Sequence, residues 1–147
     1  MLVSTSLLLG ALPFTLAVAQ YGSPKDAPSS SATPTATALA SSSTHTIEVG
    51  KSGLSFEPNT TTAAVGDTIV FDFYPQNHSV TQSSFEKPCE PLSSTSFFSG
   101  FMATSSKPDT KTFTIAIENT DPIWFYCSQN SPVDHCKAGM VGVINPP

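Results

Sequence analysis

Phe125-Tyr126-Cys127-Ser128-Gln129-Asn130-Ser131-Pro132-Val133-Asp134-His135-Cys136-Lys137-Ala138-Gly139-Met140 is the stretch on which the reading of this chain turns. It starts in an apolar run, Ile123 to Tyr126, passes a cysteine, crosses a turn-rich segment and enters a second apolar run, Met140 to Ile144. Short apolar runs bounded by turn residues are the mark of strands. Toward the N-terminus the pattern repeats, and strands are predicted at Thr46 to Val49, Ser55 to Glu57, Thr61 to Ala64, Thr68 to Tyr74, Ser79 to Thr81 and Lys111 to Ala116. Turns at Gly50 to Gly53, Gly66-Asp67 and Asn119 to Pro122 separate several of them. Thr68 to Tyr74 alternates Ile69, Phe71 and Phe73 with Val70, Asp72 and Tyr74, as a half-buried strand of a two-sheet sandwich does. No 3.6-residue period is sustained long enough for a major helix, so the fold class is all-β, with seven to eight strands. Between Gln82 and Pro108 the chain is rich in Ser and Pro yet carries Phe85, Phe97, Phe98 and Phe101. A packed irregular segment, with room for a short helix, is expected there.

The chain has 147 residues, which favours one folded domain. Leu7 to Ala19 is apolar and ends in Ala17-Val18-Ala19, so residues 1–19 read as a signal peptide cleaved before Gln20, although no Lys or Arg precedes the run. The run is broken by Pro13 and is shorter than the roughly 20 residues of a membrane-spanning helix. Nor does Val141 to Ile144 provide the tail of about 10 to 20 apolar residues that a glycolipid anchor signal needs. Residues 20–44 are dominated by Ser, Thr, Ala and Pro, which cannot bury enough apolar surface to order themselves. They are expected to form a disordered stalk, a candidate for O-glycosylation, with the folded domain spanning 45–147. A net charge of −5 argues against nucleic acid and anionic membranes as partners. A secreted protein, in the medium or at the cell wall, is the expectation.

Secretion makes the cysteine count informative. Cys89, Cys127 and Cys136 are three, so at most two pair within the chain and one thiol is left over, a liability in an oxidising compartment unless it is buried or bound to a metal. Cys127, His135 and Met140 lie within one strand-turn-strand unit and offer a thiolate, an imidazole and a thioether. Copper that cycles between two oxidation states favours such donors, with a second imidazole completing the set. The chain has three histidines. His45 borders the stalk, whereas His78 follows the long apolar strand, whose exit can meet the turn after Cys127 at one pole of a sandwich. His78 is the better candidate. Structural zinc is the rival, but its sites seldom use a thioether.

On these residues the domain resembles the cupredoxins, in particular the phytocyanins and the cupredoxin-like extracellular serine-rich proteins of fungi. The resemblance spans about His45 to Asn145. It implies a Greek-key β-sandwich of about eight strands, one type 1 (blue) copper ion and electron transfer through the solvent-exposed edge of the histidine in the last loop. Residue by residue, it implies His78 and His135 as imidazole ligands, Cys127 as the thiolate and Met140 as the axial ligand. It also implies a disulfide between Cys89 and Cys136, worth roughly 4 kcal/mol in the loop-closure model. Two departures stand out. Seven residues separate Cys127 from His135, a longer loop than plastocyanins carry. Ser79 stands where many cupredoxins have an Asn that stiffens the ligand loop, a role a hydroxyl fills only in part.

The remaining features have ordinary readings. Asn59-Thr60-Thr61 is a usable N-glycosylation sequon, whereas a glycan on Asn77 of Asn77-His78-Ser79 would crowd His78. Trp124 and its neighbours are core and sheet-edge residues. The functional expectation is a monomeric one-electron carrier or copper-binding protein with an unspecified redox partner, not an enzyme, since four protein ligands leave no open position for a substrate. A structural or interaction module of the cell wall, with incidental copper, is the alternative.

Overall fold

The computed structural model describes residues 41–105 and 110–147. The signal-peptide and most of the stalk expectations therefore lie outside the described residues. The described residues form ten strands: β1 (Thr44–Val49), β2 (Phe56–Glu57), β3 (Thr60–Thr61), β4 (Thr68–Phe73), β5 (Gln76–His78), β6 (Thr81–Ser83), β7 (Met102–Thr104), β8 (Thr112–Ala116), β9 (Ile123–Tyr126) and β10 (Val141–Ile144). Eight of them build two four-stranded sheets, ordered β2-β1-β4-β8 and β3-β10-β9-β6, and β5 and β7 form a separate two-stranded ribbon. The all-β sandwich holds, and no helix occurs among the described residues.

Alternation decides the core. Ile69, Phe71 and Phe73 on β4 and Ile47 and Val49 on β1 are fully buried. The two strands run parallel in register from Thr44 opposite Thr68 to Val49 opposite Phe73, which sets their buried residues side by side. From the other sheet Phe125 on β9 meets Phe71 and Phe56 edge to face, with ring centroids 5.4 and 4.9 Å away. Such T-shaped pairs add about 0.5–1.5 kcal/mol beyond burial of their area.

Two expectations need correction. The strand placed at Ser79 to Thr81 is two strands, β5 and β6, that flank Ser79-Val80, and β7 went unforeseen because Met102–Thr104 is too short and too mixed to show a period. In the segment from Gln82 to Pro108, Phe97 packs against the core, but Phe85, Phe98 and Phe101 are exposed. Aromatic content alone did not predict their burial. The segment is tied to the body by a Cys89–Cys136 disulfide with a sequence separation of 47.

At the pole opposite the site described below, Asp67 accepts hydrogen bonds from Ser43 N–H at 2.7 Å and Ala64 N–H at 2.9 Å and pairs with His45 Nε2 at 2.9 Å. His45 is thus an ordinary strand-edge residue. These contacts, that of His45 foremost, hold the Asp67 carboxyl at about 2, below its usual 3.8. Because the folded value is the lower one, the stabilisation is present above 3.8 and is lost as pH falls through about 2. Asp67→Asn is expected to lower stability at neutral pH and to flatten its decline across that acid window, measured by urea unfolding at a series of pH values. Replacing Cys89 and Cys136 together with Ala is expected to cost about 4 kcal/mol in the same assay.

Candidate metal centre

Four chain segments end at one pole. β4 leads through Pro75 into β5 and His78, β9 delivers Cys127, β10 is preceded by Met140, and β1 runs into Gly50. The pole is closed by backbone bonds: Cys127 N–H donates to Met140 C=O at 3.1 Å and Met140 N–H donates to His135 C=O at 2.9 Å. Asp134 starts the turn between them by accepting from Lys137 N–H at 3.0 Å.

The donor atoms of His78, Cys127 and His135 all lie within 4.8 Å of one another, and the three residues are buried. Cys127 Sγ is 3.3 Å from His135 Nδ1, and the two imidazole centroids are 5.1 Å apart. Cys127 is the single free cysteine, so the leftover thiol is the one beside the imidazoles. Met140 is fully buried, and its backbone joins both Cys127 and His135. All four sequence candidates therefore belong to this pole.

Burial, then the neighbouring His135, pushes the His78 imidazole down to about 4, against a weak opposing pull from the Pro75 carbonyl. His135 is lowered by burial, against the pull of Asp134. Neutral rings keep a lone pair available, which is the form that binds metal. Neither nitrogen of His78 has a hydrogen-bond partner of ordinary geometry. Leaving a buried polar atom unpaired costs roughly 1–3 kcal/mol, a penalty that a metal ligand bond would remove. Nitrogen and sulfur donors of this kind suit copper.

Gly50 is the residue sequence reading missed. It has φ +82°, and a methyl group built on its Cα would overlap the His78 ring at its Nε2 end. The missing side chain of Gly50 thus makes room for the His78 ring. Gly50-Lys51-Ser52-Gly53 reads as a turn in the sequence, and nothing local says what packs beneath it.

Ser79 does more than a partial replacement for asparagine. Its N–H points at Cys127 Sγ from 3.3 Å, its hydroxyl lies 3.8 Å from the same sulfur, and that hydroxyl accepts from Ser128 N–H at 2.9 Å. These hydrogen bonds cross-link the two ligand loops. The long loop from Ser128 to Asp134 folds back on itself. Gln129 C=O accepts from His135 N–H at 2.9 Å, and Gln129 Oε1 accepts from Asn77 Nδ2 at 3.1 Å. His135 is only 4% exposed, and it lines a shallow surface pocket together with Asn77 and with Gln129 and Pro132 of the long loop. The Asn77 side chain is engaged in that loop, which disfavours its sequon, whereas Asn59 is exposed.

Gly50→Ala is expected to displace His78 while the sandwich persists, since a left-handed backbone costs a non-glycine residue only about 1–2 kcal/mol. Copper titration should show weakened binding, with the far-ultraviolet circular dichroism of the metal-free protein unchanged.

Comparison with known proteins agrees with this geometry. The family model for the plastocyanin-like domain matches residues 46–140. Two proteins of Arthroderma benhamiae are similar: an extracellular serine-rich protein, 38% identical over 109 residues (74% of this chain, 41% of that protein), and a probable GPI-anchored cupredoxin, 39% identical over 110 residues (74% and 54%). The chain thus spans about half the length of these curated relatives. Among solved structures, a purple cupredoxin from Nitrosopumilus maritimus superposes with a TM-score of 0.52 at 15% identity, over 68% of this chain and 96% of that one, a likeness of fold alone. A matched domain that begins in β1 and ends at Met140, with relatives that share more than a third of its residues, makes the chain a member of the plastocyanin-like cupredoxin family.

Proposed function

We propose that the protein is a secreted mononuclear type 1 copper protein that carries single electrons or holds copper at the cell exterior. His78, Cys127 and His135 would hold the metal, with the Met140 thioether as a fourth donor. The observation that carries this reading is the convergence of three buried donor atoms within 4.8 Å, one of them on an imidazole with neither nitrogen partnered. The copper ion would supply the one-electron chemistry. The protein's part is to hold the donors in place, keep the imidazoles neutral, and exclude water with the apolar shell of β9 and the Ser128–Asp134 loop. With four protein ligands and no open position, the site suits electron transfer and not turnover of a substrate, so an enzymatic role is not proposed. His135 lines a shallow surface pocket, the side from which a redox partner would approach.

The setting agrees with secretion. The Cys89–Cys136 disulfide fits an oxidising compartment, and the two relatives are named as extracellular or GPI-anchored. No helix among the described residues is long and apolar enough to cross a membrane.

The test is to secrete residues Gln20 to Pro147, add Cu(II), and record visible and electron paramagnetic resonance spectra with a metal count. An intense visible band with narrow copper hyperfine splitting at one ion per chain is expected. Cys127→Ser should abolish the band, and Met140→Gln should keep copper and lower the reduction potential. A colourless, metal-free protein that is folded would favour the wall module, and colour retained by Cys127→Ser would overturn the ligand set.

A further inference from the structure

A second built feature lies away from the metal centre, on the outer face of the β3-β10-β9-β6 sheet. A groove of about 300 Å³ is lined chiefly by apolar groups, among them Phe85, Trp124 and Val141. Its volume is at the small end of ligand-sized pockets, enough for a sugar ring. Phe85 is 67% exposed and sits tilted against the half-buried Trp124, with centroids 5.0 Å apart and ring planes at 50°, so two adjoining aromatic rings border the groove.

Two further observations say what covers it. Asn59, the acceptor of the Asn59-Thr60-Thr61 sequon, lies on the groove wall and is exposed. Its backbone is pinned to the groove floor, because Asn59 C=O accepts from Val143 N–H at 2.9 Å on β10. Ser83 lines the same groove, is only 3% exposed, and its hydroxyl has no hydrogen-bond partner. An apolar aromatic surface with one unsatisfied hydroxyl matches an N-acetylated pyranose, which offers a C–H face and a methyl group on one side and hydroxyl and amide groups on the other.

We infer that Asn59 carries an N-linked glycan whose first N-acetylglucosamine lies in this groove, on Phe85 and Trp124, with Ser83 as its hydrogen-bond partner. The sugar is transferred during secretion from a lipid-pyrophosphate oligosaccharide donor. The bond from the anomeric carbon to the pyrophosphate oxygen breaks, the bond to Asn59 Nδ2 forms, and Nδ2 gives up one proton. The glycan then acts as part of the surface, capping an apolar patch that would otherwise favour association.

Trp124 is the single tryptophan of the chain, so its fluorescence reports on the groove directly. The full chain would be secreted from a fungal host, its Asn59 occupancy measured by peptide mass spectrometry, and acrylamide quenching compared at equal copper content. Three forms serve: fully glycosylated, trimmed on the folded protein to one N-acetylglucosamine, and Asn59→Gln. Occupied Asn59, slow quenching in the first two forms, and faster quenching with a red-shifted emission in the third are expected. Should Asn59→Gln not be secreted, removing the whole glycan enzymatically from the folded protein provides the third form. An empty sequon, equal quenching in all forms, or a trimmed form that quenches like the sugar-free one would each overturn the inference.

Discussion

Everything at the functional pole depends on holding one thiol out of water beside two imidazoles. Cys127 lies 48 positions beyond Ser79, the residue after His78, so nothing local brings them together. The contact is made by β4 and β9 lying in facing sheets that share the Phe71–Phe125–Phe56 cluster. It is then fastened by the N–H of Ser79 on the sulfur and the Ser79 hydroxyl on Ser128. The Asn77–Gln129 hydrogen bond adds a further link between the same two loops.

The site is costly to the metal-free chain. His78 is buried with both nitrogens unpartnered, its ring pressed against Gly50, and burial keeps it neutral well below its usual range. Core packing and the Cys89–Cys136 disulfide offset this cost, and the disulfide acts next to the ligand it steadies, since Cys136 follows His135 directly. In the proposed copper protein the same unpaired nitrogen becomes the gain on binding, because a group that binds only the folded chain stabilises it by mass action.

The seven-residue loop before His135 is the clearest individual trait of this chain. In the family pattern it is an insertion whose effect could run either way, toward exposure or toward cover. In the structure Gln129 holds both the His135 N–H and the Asn77 side chain, and His135 shares a shallow surface pocket with Gln129 and Pro132.

Residue type and spacing determined the all-β class, the alternation of β4, the surplus cysteine and the short list of donors. Those are properties of local order and composition, readable because strand periodicity and ligand chemistry are written within a few residues. The short ribbon of β5 and β7, the exposure of Phe85, Phe98 and Phe101, the role of Gly50 under His78 and the near burial of His135 were decided only by the tertiary structure. Each is a contact between segments far apart in the chain. Whether a glycine backs an imidazole or merely turns a hairpin depends on which strand ends at the same pole, and that is set by how two sheets pack, not by the residues on either side of it.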